Sequence, residues 1–192
     1  MTVVTFQEEL NYEGRMNTGQ MLTTILALIL LTTVLTNFYS IVGNTGDDLA
    51  RSQENILATA VATSWAEQAQ GLAYDNVTDT SDIAFQNPSA LTSPSFLGLD
   101  PGELADSLDT YNDFDDFNGV TLAKAAGATG FSFKTRFTVS YIDTNNANVI
   151  VHVRTFVKRM DMATWRSSPA PSANETVDTL YTSIVYSYFN FN

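Results

Sequence analysis

Between Arg15 and Asp47 the chain carries no charged residue, and the stretch from Met21 to Phe38 is mostly apolar. About 20 such residues in helical form cross the hydrocarbon core of a bilayer, so this run is long enough to span one. Thr23, Thr24, Thr32, Thr33 and Thr36 interrupt it. A threonine hydroxyl can return to a carbonyl of its own helix, which leaves no polar group stranded in lipid. A buried core helix is the bland alternative. A removable secretory signal fits less well, because the run is too long and no small-x-small cleavage site follows it. The sequence therefore predicts a membrane-inserted helix, with its spanning half over residues 20–43. Orientation has only Arg15 to rest on, beside Glu8, Glu9 and Glu13.

The helical pattern does not stop at the end of the apolar run. Leu49, Ile56, Leu57, Ala60, Val61, Trp65, Ala69 and Leu72 recur at three- and four-residue steps, with Gln53, Glu54 and Glu67 on other faces. No proline occurs before Pro88, and Gly71 with the following Tyr74-Asp75-Asn76 supplies a stop. Gly43 and Gly46 mark a weak place where a kink is expected. A helix from Gln20 to Gln70 would be roughly 75 Å long at about 1.5 Å per residue, far more than a bilayer needs. Its second half must then pack on a globular head.

The 192 residues divide by charge as well as by hydropathy. The net charge is −12, yet the segment from Ser52 to Ala123 holds twelve acids and no base, while Lys124 to the end holds seven bases and four acids. Such an acidic chain is a poor partner for nucleic acid, whose phosphates require a concentrated basic surface. The chain has no cysteine, which removes disulfides, thiolate metal sites and cysteine nucleophiles. Residues 73–130 are rich in Asp, Ser, Thr, Asn, Pro and Gly and read as a long irregular connection with one short helix near Glu103 to Leu108. From Phe131 to Tyr141 apolar and polar residues alternate, Asp143 to Asn148 is turn chemistry, Val149 to Val157 reads as a second strand, and Leu180 to Phe191 as a third. The expected fold is α+β: a long N-terminal helix packed on a C-terminal antiparallel β-sheet. The expected divisions are a leader-like segment 1–19, the helix 20–72, and a head 73–192 whose sheet covers 131–192.

Several clusters carry candidate chemistry. Asp109, Asp113, Asp115, Asp116 and Asn118, closed by Gly119, supply the oxygen ligands and tight turn that Ca²⁺ favours. Phe117 breaks the register of an EF-hand loop, and the alternative is an acidic turn pinned by Phe114 and Phe117 with its carboxylates facing water. His152 is the only histidine and falls within the second expected strand, without a neighbouring ligand or triad partner. Arg154, Lys158 and Arg159 form a basic patch, available either to the acidic middle block of the same chain or to a neighbouring subunit. Asn76 and Asn174 match the N-glycosylation pattern. No phosphate-binding glycine loop follows a strand and no nucleophile signature is present, so an enzyme is not expected.

The order of these parts resembles the type IV pilin superfamily. Asn17-Thr-Gly-Gln-Met-Leu-Thr-Thr-Ile-Leu26 is similar to prepilin processing sites, where a peptidase cuts after a glycine preceding the apolar helix. The resemblance implies cleavage after Gly19, with Gln20 as the first mature residue. Ala62 to Asp75 is similar to the helix exit of pilin-like proteins containing segments of the type ATSLAQ…AFDE. Leu97-Gly-Leu-Asp-Pro-Gly-Glu103 and Asp113-Phe-Asp-Asp-Phe-Asn-Gly119 are similar to LGPDxGE and DxDDxNG stretches of the same bacterial group. Two departures stand out. Pilins carry a glutamate five residues into the mature chain, where this sequence has Thr24, and the usual C-terminal cysteine pair is missing.

What the resemblance implies is a structural subunit of an extracellular filament. It would be processed by prepilin peptidase, held in the inner membrane before assembly, and polymerised at the cell surface with copies of itself by the pilus assembly machinery. Leu22, Ile25, Leu26, Ile29, Leu30 and Val34 would form the apolar assembly face, with Arg154, Lys158 and Arg159 as its electrostatic counterpart. No cofactor is required, with Ca²⁺ as the one candidate ion. Two alternatives stand beside it: a pseudopilin-like part of a secretion or DNA-uptake machine, and a single-pass membrane-anchored protein that binds cations or a partner.

Overall fold

The computed structural model describes residues 18–80, 87–171 and 177–188. The chain divides into two compact units, residues 1–51 and 52–192, and helix α1 (Thr18–Gln70) contributes to both. In the first unit the described residues are all helical and all exposed, and the helix runs unbroken through Gly43 and Gly46, where a kink was expected. Thr23, Thr24, Thr32, Thr33 and Thr36 each donate their hydroxyl to the carbonyl four residues earlier, the return to the helix backbone expected from the sequence. One 18-residue window of α1 reaches a mean hydropathy of 2.1 with none of it buried, so by length and composition the helix can cross a membrane.

The second unit is α+β. Helix α1 ends at Gln70, where Gly71 donates its N–H to the carbonyls of Glu67 and Gln68. A short helix α2 (Asn76–Thr80) follows, and a long irregular segment leads to the sheet. The strands are β1 (Thr121–Ala125), β2 (Ser132–Asp143), β3 (Asn146–Ile150), β4 (Val157–Ser168) and β5 (Thr179–Ser187). All pairings are antiparallel, in the order β1-β2-β4-β5, with β3 folding back on the end of β2.

Strand β2 follows the period read from its sequence: Phe133, Thr135, Phe137, Val139 and Tyr141 point inward, while Lys134, Arg136 and Thr138 face water. Four elements differ from expectation. Of the strand expected over Val149–Val157 only the ends lie in strands, in β3 and at the start of β4, and His152 lies exposed on a bend between them, while the rest of β4 was not expected as a strand. Strand β1 lies inside the connection expected to be irregular, and the short helix expected near Glu103–Leu108 is replaced by turns and a single 3-10 turn over Leu108–Thr110. Physically, β1 has only Leu122 buried, so five residues of TLAKA show too little alternation to signal a strand.

The helix-to-sheet core is built on small residues. Ala58, Val61, Ala62, Trp65, Ala66 and Ala69 form the buried stripe of α1, at three- and four-residue spacing, against Phe133, Phe137, Val139, Met160 and Met162. Alanines let the helix sit close to the sheet, and Trp65 fills the remaining volume edge-on to Phe137 at 5.9 Å. Leu49, Ile56 and Ala60, read from the sequence as part of this face, are exposed, because the Trp65 stripe sets the rotation of the helix.

Candidate functional site

The segment after α1 brings the acidic block and the basic strand together. Ala73 bridges to Asp113, with Ala73 N–H donating to the Asn112 carbonyl and Phe114 N–H to the Ala73 carbonyl. This places Tyr74 and Asp75 beside the turn Asn112–Gly119. Phe114 and Phe117 are fully buried and anchor that turn, as the sequence suggested. The carboxylates, however, do not face water: Asp113, Asp115 and Asp116 are no more than 2% exposed.

Each buried carboxylate is turned to a group of the same chain. Asp113 Oδ1 accepts the N–H groups of Asp115 (2.8 Å) and Asp116 (3.3 Å). Asp116 Oδ2 accepts those of Asn112 (2.8 Å) and Asp113 (3.0 Å), so the two aspartates clasp opposite ends of one turn. Asn118 extends the clasp to the sheet: Nδ2 donates to the Leu97 carbonyl at 2.9 Å, and Oδ1 accepts Val139 N–H at 2.9 Å. Gly119, at φ 79°, takes the left-handed conformation that a side chain would disfavour, and its N–H reaches the Phe137 carbonyl. Asp109 stands apart and exposed. Among the described residues no three acidic or histidine side chains converge as a cation site.

The cation that Asp115 meets is Lys158. Strand β4 alternates Lys158, Met160, Met162 and Thr164 inward, so the ammonium enters the core at the end of the strand. Lys158 Nζ lies 3.0 Å from Asp75 Oδ2, contacts Asp115 Oδ1, and donates to the Tyr74 carbonyl at 2.8 Å. The Tyr74 and Tyr141 rings wall it at 4.5 and 5.4 Å. Asp75, itself fully buried, is held in turn by Thr92, whose N–H lies 3.0 and 3.2 Å from the two carboxylate oxygens and whose hydroxyl donates to Oδ1 at 3.0 Å. All three ammonium protons thus find acceptors.

Electrostatics follow from burial. Desolvation raises Asp115 to about 8 although Lys158 pulls it down, raises Asp116 to about 7 with help from Glu103, and raises Asp113 to about 6 with help from Asp116. Burial likewise lifts the phenols of Tyr74 and Tyr141, and pushes Tyr111 up to about 12. One ammonium beside two carboxylates leaves one surplus negative charge, and a proton held on Asp115 makes the trio neutral, which a low-dielectric site favours.

The remaining sequence candidates are scattered. Of the two roles read for Lys158, the structure shows the pairing with the acidic block: it is fully buried against Asp75 and Asp115, and a side chain with no accessible surface does not serve the other role, a contact between subunits. Arg159 pairs with Asp161 at 2.9 Å and donates to the Ala147 carbonyl, and Arg154 is partly exposed. Leu22, Ile25, Leu26, Ile29, Leu30 and Val34 are exposed on α1. Gly19 and Gln20 lie in its first turn, their carbonyls accepting Thr23 and Thr24. Asn76 is exposed and donates to Asp100, and Asn174 lies outside the described residues. Asp75, Thr92, Tyr74 and Tyr141 were not singled out from sequence. Their one legible signal was a lysine in phase with Met160 and Met162.

No protein-family model, curated protein or solved structure matches the chain. What the structure defines is a class: an α+β protein with a long apolar N-terminal helix, the end of which packs on an antiparallel sheet. That architecture is compatible with a pilin-like fold.

Proposed function

We propose that the protein is a structural subunit of an extracellular type IV pilus-like filament, with no catalytic role and no cofactor. The observation that carries this reading is the division within α1. Residues 18–46 expose an uncharged, mostly apolar surface whose threonine hydroxyls return to their own helix, while the stripe of Ala58, Val61, Ala62, Trp65, Ala66 and Ala69 is sealed into a folded head. Such a surface must be covered by lipid or by other copies of itself. A subunit stored in the inner membrane and then packed helix-to-helix in a fibre meets both conditions in turn. The contact would be heterologous, repeating head to tail, since such contacts propagate instead of closing. Prepilin peptidase would cut after Gly19, freeing Gln20 as the mature N-terminus.

The test is mass spectrometry of the N-terminus of surface-sheared material. Gln20 as first residue, in filaments visible by electron microscopy, is the expected result. An intact leader in protein confined to membrane fractions would overturn it. Thr24, standing where pilins carry a glutamate, favours a second reading as a single-pass anchored protein, for which that second outcome is the signature.

A further inference from the structure

We propose that Lys158 and Asp75 condense into an intramolecular amide bond, with Asp115 as the acid that assists, so that strand β4 is covalently tied to the segment leaving α1. The proposal stands on the geometry of the trio and is independent of the filament reading.

A lysine amine and an aspartate carboxyl do not condense in water, where both are charged and the product hydrolyses. This core removes each obstacle. Lys158, Asp75 and Asp115 are 0–2% exposed, and the tyrosine rings of Tyr74 and Tyr141 close over the ammonium, so water is excluded. The reacting nitrogen already sits 3.0 Å from one oxygen of Asp75, which replaces a bimolecular encounter by a positioned one. The other oxygen, Oδ1, receives the Thr92 hydroxyl at 3.0 Å and, at 3.2 Å, shares the Thr92 N–H that also lies 3.0 Å from Oδ2. Those donors stand where negative charge collects when an amine adds to the carboxyl carbon. Asp115 touches the same nitrogen, and as the proton-bearing member of the trio it is placed to exchange protons with it.

The step balances without any further reactant. Asp75 takes one proton from Lys158 Nζ, and the freed lone pair attacks Asp75 Cγ. A C–N bond forms, and the carbonyl electrons move onto Oδ1 against the Thr92 donors. Asp115 protonates the Oδ2 hydroxyl, the C–Oδ2 bond breaks, and water leaves with the electron pair. Nζ returns a proton to Asp115, which ends as it began. Nothing is oxidised or reduced, and one water is lost. A chain without cysteine would gain in this way a covalent tie between helix exit and sheet.

The chain itself offers a clean assay. A glutamate-specific protease releases residues 68–103, which hold Asp75, and residues 104–175, which hold both Asp115 and Lys158. In the full-length protein, purified in detergent and digested after denaturation, these two peptides are expected as one joined species, lighter than their sum by one water. Their recovery as separate peptides with an unmodified Lys158 would overturn the proposal. So would loss of water confined to 104–175, which would place the bond on Asp115. Asp115→Asn tests the assisting acid: a folded D115N chain that yields separate peptides supports the assignment, and a folded D115N chain that is still joined overturns that role. If D115N does not fold, the wild-type digest alone decides.

Discussion

Asn118 holds the head together with a single amide, reaching the Leu97 carbonyl with one end and the Val139 N–H with the other. Replacing it by alanine leaves both backbone groups without that partner in a partly buried site, and Asn118→Ala is expected to cost about 1–2 kcal/mol. Denaturant titration should show a lower midpoint at unchanged slope. The neighbouring carboxylates make a second prediction. Asp113, Asp115 and Asp116 titrate near 6, 8 and 7 in the folded chain against 3.8 for an ordinary aspartate. Between those limits the folded state binds more protons than the unfolded one, so stability falls as pH rises from about 4 through about 8. The head should therefore resist denaturant better at pH 5 than at pH 8, and equal midpoints would contradict the placement of these groups in the core. Because the carboxylates serve backbone amides and Lys158, adding Ca²⁺ or a chelator should leave the melting temperature unchanged. At this scale the sequence showed that the DFDDFNG turn was special and that its phenylalanines pinned it. The destination of the Asp115 carboxylate was hidden because its partner, Lys158, lies 43 residues downstream.

Helix α1 and strand β2 were legible because each repeats its period long enough to average out exceptions, over 53 and 12 residues. Strand β4 is just as long but was not read as a strand beyond Val157, since its inward face mixes Lys158 and Thr164 with two methionines, and its polar members disguise the alternation. The buried Thr135–Thr164 pair shows why polar inward positions are tolerated: the two hydroxyls satisfy each other at 3.0 Å across β2 and β4. The phase of α1 was partly misread for a related reason. Alanine carries little hydrophobic signal, so Ile56 looked like core and Ala62 did not, although Ile56 is 69% exposed and Ala62 1%. The consequence is measurable at this scale. Ala62→Leu pushes the helix off the sheet and is expected to destabilise the head by about 1–3 kcal/mol. Ile56→Ser should fall within about 0.5 kcal/mol of the parent. Thermal or denaturant unfolding of the two variants side by side would reverse the helix face if the order came out opposite.

For the whole molecule, the question is which of its charges remain for neighbours. The sequence divides into an uncharged helix, an acidic block and a mildly basic end, a polarity suited to subunits that repeat head to tail. The structure spends part of that polarity internally: Lys158 pairs with Asp75 and Asp115, Arg166 reaches Glu54 at 3.4 Å, and Arg159 is shared with Asp161. The basic surface left exposed is thus smaller than the sequence count, and in the proposed filament the exposed apolar helix would supply most of the association. Two variants separate these roles. Lys158→Glu places a third carboxylate where an ammonium sat in a dry core, so K158E should lose the folded head itself, read as loss of the cooperative melt and of protease resistance. A double reversal, Arg154→Glu with Arg159→Glu, changes partly exposed residues; it gives up the Arg159–Asp161 pair and should lower the melt modestly while keeping it cooperative. If the acidic blocks of neighbours do engage those arginines, the double variant forms fewer filaments than the parent at low salt, and the difference shrinks as salt is raised. Parental filament yield from the double variant at low salt would assign assembly to the apolar helix alone.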